Sequence, residues 1–382
     1  MVLIFSLSLF AGCEMPFGGH THSYENGKCE CGQLDPQHEH EYQNGICECG
    51  KEEPEHIHSF GTNGKCECGE EDPNHAHQYN EGQCACGEID LTYCTEGLIF
   101  EQYFCEECGE NEYKVTTYMG TANRVFIPQT YQGLPVKTIG ENAFAGDSNI
   151  KFVNLTDIVH TIENSAFAGM GKLGRINIPK GIKRIGSEAF LSCSSVEQIY
   201  FNAEECMDFV DRQYPFYDVG SQARSCVLTI GKDVKRLPAF IFRGYKDGRP
   251  NVTKLTFEEN SSCEILGNNC FFWNTALKEI DFTNATKLKV LEAGALLYLQ
   301  CTEVRLPDSL EVIGPDMFIV PTRVMENLYL PEGDWYMTTD PDGDFVTNGT
   351  KIPELTPAEL VDFYYEHIVW PSDIYWCKDT SK

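Results

Sequence analysis

From about residue 136 the chain carries a recurring hydrophobic pattern: an aliphatic residue, usually followed by Gly, with Phe five positions after the aliphatic. It reads Ile139-Gly-Glu-Asn-Ala-Phe144, Ile162-Glu-Asn-Ser-Ala-Phe167 and Ile185-Gly-Ser-Glu-Ala-Phe190, each 23 residues apart. Later copies run Leu237–Phe242, Leu266–Phe271, Leu291–Leu296 and Ile313–Phe318. Between them lie short alternating segments such as Ile150-Lys-Phe-Val153-Asn-Leu155, Leu173-Gly-Arg-Ile176-Asn-Ile178, Val196-Glu-Gln-Ile199-Tyr-Phe201, Leu277-Lys-Glu-Ile280-Asp-Phe282 and Val304-Arg-Leu306. Alternation over such short stretches predicts strands. One repeat alone exposes an apolar face, and stacking its neighbours buries a continuous core of Ile, Val and Phe.

A period of about 20–29 residues with an L-x-x-L-x-L strand is that of a leucine-rich repeat. The string Ile-Gly-x-Asn-Ala-Phe, then Leu-x-x-Val-x-Ile-Pro, resembles the BspA-like leucine-rich repeat family. So do the lead-in Val125-Phe-Ile-Pro128 through Gly140 and the stretch from Ile199 to Gly231. The resemblance covers roughly residues 93–335; the interval from Phe190 to Phe242 departs from the period, so one repeat there is enlarged or degenerate. It implies an α/β-type, β-rich repeat solenoid. Members of that family are bacterial surface proteins linked to adhesion and to host or matrix binding, which implies a non-enzymatic binding role. In the alternating strands the aliphatic residues point inward and the intervening ones outward. The outward set is Phe152, Asn154, Arg175, Asn177, Gln198, Tyr200, Glu279, Asp281, Glu303 and Arg305, a candidate face for a protein or glycan ligand.

A second repeat precedes the first. It reads HTHSYENGKCECG from His20, HEHEYQNGICECG from His38, HIHSFGTNGKCECG from His56 and HAHQYNEGQCACG from His75, spaced 18, 18 and 19 residues apart. Asn26-Gly27 is the preferred pair for a two-residue type I′ hairpin turn, because both positions need φ > 0. That turn pairs Tyr24 with Cys29 and His22 with Cys31, so His20, His22, Cys29 and Cys31 share one face. The later units repeat this with His38, His40, Cys47 and Cys49; His56, His58, Cys66 and Cys68; and His75, His77, Cys84 and Cys86. In the third, Gly61 is an extra residue accommodated as a bulge. Two imidazoles and two thiolates make a closed, structural Zn²⁺ site. A module this small buries no core, so the metal supplies most of its folding free energy.

The rival is a disulfide ladder, which accounts for the cysteines but not for the His-x-His before each pair. Metal pairing between units is an alternative to pairing within them; it leaves His20 and His22 without partners. Cys94, Cys105 and Cys108 remain over. They form a fifth metal site with a fourth ligand elsewhere, or a redox-labile pair. His160 and His367 stand isolated in the sequence.

Charge and the N-terminus narrow the function. The chain has 58 acidic and 29 basic residues in 382, net −29, which disfavours nucleic acid and anionic membrane surfaces. Residues 14–90 alone hold 17 acidic and 3 basic side chains, so the array is expected to stay extended. Met1 to Phe10 has the length of a signal-peptide apolar core and is too short to span a bilayer. Its continuation Leu9-Phe10-Ala11-Gly12-Cys13 resembles the lipobox of bacterial lipoproteins, which implies lipidation of Cys13. Asp340-Pro-Asp342-Gly-Asp344 reads as an acidic turn rather than a calcium loop, and the cysteines from Cys193 to Cys377 as buried free thiols.

The expected layout is a signal peptide (1–12), a lipid-anchored linker (13–19), four zinc hairpins (20–90), a Cys-containing junction (91–112), the solenoid (113–335) and a C-terminal cap (336–382). This describes a non-enzymatic adhesion protein on the bacterial surface, secreted if the lipobox is unused, whose repeat face stands on a zinc-stabilised stalk. The alternative is a surface zinc-acquisition or zinc-buffering protein with the solenoid as docking platform.

Overall fold

The computed structural model describes residues 24–25, 28–29, 42–43, 46–47, 77–86, 88–106, 108–210, 212–244, 250–318, 324–368 and 371–381. The chain divides into two units, Met1–Asp90 and Leu91–Lys382.

In the first unit three two-stranded antiparallel hairpins share one register. Tyr24 pairs with Cys29, Tyr42 with Cys47 and Tyr79 with Cys84. The turn of the last hairpin has Glu81 at φ 48° and Gly82 at φ 83°. Both central residues are thus left-handed, as a type I′ turn requires. Downstream the chain folds back, with Ile89 bridging Gln83 and the Cys84 N–H donating to the Glu88 carbonyl over 2.8 Å.

The second unit opens with an antiparallel hairpin, Leu98–Cys105 and Glu110–Tyr118. Strand Leu134–Ile139 then pairs parallel with Glu110–Tyr118, and the short strands Thr161–Ile162 and Arg184–Ile185 extend that sheet. A second parallel sheet stacks Arg175–Ile178, Gln198–Phe201, Cys226–Ile230, Val252–Phe257 and Glu279–Ile280. Parallel pairs flank it in the chain: Arg124–Phe126 with Phe152–Asn154, and Glu303–Arg305 with Asn327–Tyr329. The short-strand sheet resumes with Arg236–Leu237, Ile265–Leu266, Val290–Leu291 and Val312–Ile313. Each repeat therefore contributes two strands and a turn-rich side: a β-solenoid. Among the described residues, helix is confined to Phe345–Asn348 and Pro357–His367, outside the repeats.

The turn-rich side is held by a ladder of rings. Phe144, Phe167, Phe190 and Phe216 stack nearly parallel, with centroids 5.2, 5.0 and 5.1 Å apart, and Phe242 and Phe271 continue the row. Those spacings follow the interstrand distance of about 4.8 Å, so the sheets set the stacking distance. A sharp corner comes two residues before most ladder positions. Asn142, Ser165, Glu188, Phe240, Asn269, Gly294 and Asp316 all have φ between 51° and 63°. Asn, Asp and Gly enter this region most readily, and other residues incur about 1–2 kcal/mol of strain.

Gly in the repeated Ile-Gly has a different cause. A Cβ at Gly140 would lie 2.7 Å from the Val115 carbonyl oxygen, and one at Gly267 2.4 Å from that of Leu237. Glu occupies this position in two turns and becomes useful there. Glu163 accepts the Glu141 N–H and pairs with Lys114; Glu292 accepts the Asn268 N–H and pairs with Arg236.

The long interval between Phe190 and Phe242 holds a whole turn of the solenoid. Its ladder residue is Phe216 and its long strand is Cys226–Ile230, but among the described residues no short strand lies between Arg184–Ile185 and Arg236–Leu237. The irregular chain there is fixed by Asp208, which accepts the Ala239 N–H over 2.8 Å and pairs with Arg236.

The C-terminal segment closes the short-strand sheet. Tyr375–Lys378 pairs antiparallel with Val312–Ile313 and with Trp335–Thr338, and Trp376 is buried. Pro357–His367 begins with a capping box between Thr356 and Glu359, and Tyr364 on it accepts the Phe318 N–H over 3.2 Å. In the acidic turn, Asp344 caps the Phe345–Asn348 helix. Trp370 lies outside the described residues.

Candidate binding face and metal-ligand clusters

The long-strand sheet shows two rows of outward side chains. Arg175, Gln198, Val227, Lys254 and Glu279 are successive register partners in one row. Asn177, Tyr200, Thr229 and Thr256 form the other, and Asp281 follows by alternation. In the flanking pairs, Phe152 aligns with Arg124 and Asn154 with Phe126, while Glu303 aligns with Asn327 and Arg305 with Tyr329. The outward set expected from sequence omits Val227, Thr229, Lys254 and Thr256, although Cys226–Ile230 alternates and Val252–Phe257 has the Leu-x-x-Leu-x-Leu spacing; Arg124 lies before the recurring pattern begins. The order of the outward triplets along the chain would have exposed them.

Several of these side chains are already engaged. The Arg124 guanidinium lies over the rings of Phe126 and Phe152, 4.9 Å from the latter, so Phe152 is half-buried rather than bare. Tyr200 donates its hydroxyl to Glu258 over 2.6 Å, and burial together with that carboxylate pushes the phenol above its usual range. Lys254 pairs with Glu279. Arg305 bonds Glu303 over 2.8 Å and covers the Tyr329 ring at 3.5 Å. Arg175 and Gln198 are exposed. Asp281 and Arg305 border a groove of about 400 Å³ that also includes Thr283 and Asp308.

Two groups of metal-binding side chains converge. In the last hairpin the ligand atoms of His77, Cys84 and Cys86 lie within 4.8 Å of one another, with His77 Nδ1 3.3 Å from Cys86 Sγ. The donor set of one imidazole and two thiolates suits Zn²⁺. The side chains of His20, His22, Cys29, Cys31, His38, His40, Cys47, Cys49, His56, His58, Cys66, Cys68 and His75 lie outside the described residues, as does Cys13.

The second group joins Cys105, Cys108, Glu112 and His160, again within 4.8 Å. Of the three leftover cysteines the structure thus brings two together. Cys94 is elsewhere, exposed, with its thiol toward the Thr95 carbonyl. His160 is not isolated, despite its place in the sequence. It occupies the position held by Lys137 and Lys183 in adjacent turns, and backbone hydrogen bonds link the three in a ladder. His replacing Lys at one repeat position was the available signal. His367 stacks on Phe363 at a helix end and bonds that residue's carbonyl.

Cys193, Cys226, Cys263 and Cys301 are buried free thiols, pushed up to about 12 chiefly by burial. Such thiols stay protonated and unreactive at neutral pH. No helix among the described residues is long and apolar enough to cross a membrane.

No curated protein matches the chain. Among solved structures, a leucine-rich repeat protein of T. pallidum is 20% identical, covering 47% of this chain and 87% of its own, at a TM-score of 0.29. One from Eubacterium ventriosum is 22% identical over 55% of this chain and 47% of its own, at 0.35. A leucine-rich cell surface protein of Faecalibacterium prausnitzii is 16% identical over 64% and 89%, at 0.26. Residues 123–211 and 227–324 match, in six copies, the family described as BspA type leucine-rich repeat region. The stacked strands of the β-solenoid fall largely within the residues that match that family.

Proposed function

We propose that this is a non-enzymatic bacterial surface protein whose long-strand sheet binds a protein or glycan ligand outside the cell. The observation that carries the reading is the pair of outward rows, in which Arg175, Gln198 and Tyr200 sit side by side on the first two strands of a five-stranded parallel sheet. Arg and Tyr dominate many interfaces because each combines apolar area with directional hydrogen bonding. Arg124 and Phe152 extend the basic and aromatic character toward the first turns, and the groove beside Asp281 and Arg305 offers an acidic and basic pair further along. The test is loss of ligand capture when Phe152, Arg175 and Tyr200 are replaced by Ala in the full chain, with the fold intact.

In this reading Met1–Asp90 is a zinc-stabilised tether anchored through a lipid on Cys13. Cys13→Ser should abolish fatty-acid labelling and move the protein from the membrane fraction to the soluble one. Wild-type protein that is never labelled would replace anchoring by simple secretion. The convergence of His77, Cys84 and Cys86 also supports a second reading, zinc acquisition or buffering with the solenoid as docking platform. Exchange separates the two: a structural array keeps its zinc against mild chelators, whereas a delivery device surrenders it.

A further inference from the structure

We propose that Cys105, Cys108, His160 and Glu112 bind one Zn²⁺, and that this ion fastens the opening hairpin of the solenoid to the turn containing His160. The two hairpin strands are joined by Cys105-Glu-Glu-Cys108-Gly109. The Cys108 N–H donates to Cys105 Sγ over 3.2 Å, and the Gly109 N–H to the Cys105 carbonyl over 2.7 Å. Gly109, at φ 72°, lets the chain turn this tightly. A backbone N–H aimed at the sulfur orients it, as outer-shell hydrogen bonds orient metal ligands.

The spacing of the ligand atoms fits the ion. Bonds of about 2.0–2.3 Å in a tetrahedron place the ligand atoms about 3.3–3.8 Å from each other. Cys108 Sγ lies 3.8 Å from His160 Nε2, and that nitrogen lies 3.2 and 3.4 Å from the two Glu112 oxygens. Surrounding groups orient the ligands as metal sites require. His160 Nδ1 is 2.9 Å from Thr161 Oγ1; Tyr103 bonds Glu112 and lies 2.8 Å from Thr138 Oγ1.

The charge balance is compatible with the ion. Glu112 is completely buried, and Lys137 Nζ lies 3.3 Å from it. With the ion, two thiolates, one carboxylate, Zn²⁺ and Lys137 sum to neutrality, as Glu112 and Lys137 do without it when both thiols are protonated. Zn²⁺ can therefore enter by displacing two thiol protons and leaves no net buried charge. A Cys105–Cys108 disulfide would consume both thiols and exclude the ion, leaving Glu112 with Lys137, Tyr103 and His160 alone. Cys108 is exposed, which gives the ion a route in. The staple would link positions 52 residues apart in sequence, Cys108 and His160, and so protect the end of the solenoid from fraying.

The experiment compares zinc per chain in oxygen-free, full-length wild type, Cys108→Ser, His160→Gln and Cys94→Ser. Losing one zinc in either of the first two, and none in Cys94→Ser, supports the site. An unchanged count in a folded Cys108→Ser or His160→Gln protein overturns it. The wild type supplies a readout that no folding defect can obscure: alkylation of Cys108 followed by peptide mass spectrometry. Cys108 should be protected until a strong chelator is added, while exposed Cys94 reacts throughout. Equal alkylation of Cys108 with and without chelator, or a Cys105–Cys108 disulfide in the wild type, overturns the proposal.

Discussion

Phe216→Ala should lower the stability of the Leu91–Lys382 unit by about 3–5 kcal/mol, the range for truncating a buried Phe. Phe216 is buried between Phe190 at 5.1 Å and Phe242 at 4.7 Å, in a turn that has no short strand among the described residues. The ring is therefore a main apolar link across that turn, and its removal leaves a cavity that neither neighbour can fill without leaving its own stack. In a repeat array each turn contacts its neighbours alone, so a weak turn uncouples the two sides. Urea unfolding should show a lower midpoint and a broader transition. Phe104→Ala makes the control, because Phe104 is 58% exposed and its loss should cost no more than about 0.5 kcal/mol. Equal effects of the two substitutions would mean that the ladder does not hold the repeats together.

The second large effect is expected in the first unit. Full-length protein should carry about four zinc ions in the hairpin array, one per His-x-His and Cys-x-Cys unit. Structural zinc contributes about 10–16 kcal/mol of apparent binding free energy in small metal-folded modules, more than an eighteen-residue unit gains from its own contacts. Cys47→Ser with Cys49→Ser should therefore remove one zinc and unfold its hairpin, leaving the solenoid unfolding transition where it was. Elemental analysis with peptide-resolved hydrogen exchange measures both. Fewer than two zinc ions per chain, with no titratable thiols in the array, would convert the array to disulfides.

What the sequence reveals depends on whether a residue's partners are near it in the chain or repeat with a period. The Asn26-Gly27 pair dictates a turn, and the strands on either side have the register it requires. The aliphatic and Phe positions recur every 22–29 residues outside the one long interval, so the stacked strands and most of the ring ladder can be read directly. Phe216 is hidden because its turn keeps the ring and the long strand but loses the short strand that marks a repeat. Val227 and Lys254 are open to direct reading, since Cys226–Ile230 alternates and Val252–Phe257 has the Leu-x-x-Leu-x-Leu spacing, whereas Arg124 lies before the recurring pattern begins. The cluster around Cys105 is the extreme case. Cys108 and Glu112 lie 52 and 48 residues from His160, and stacking of the turns alone brings them together. For Phe152 alternation gives the outward direction but cannot reveal that Arg124 lies over the ring.

The central claim is that the long-strand sheet is the ligand-binding face. It is tested most directly by capture of full-length wild type and of the Phe152→Ala, Arg175→Ala, Tyr200→Ala triple variant on immobilised host matrix proteins and bacterial glycans. Circular dichroism and urea unfolding should verify the fold of each. The claim predicts at least a tenfold loss of affinity, since two or three interface anchors are removed at about 1 kcal/mol or more each. Unchanged capture by a folded triple variant would contradict it and move binding to the turn-rich side, the irregular 202–231 segment or the zinc array.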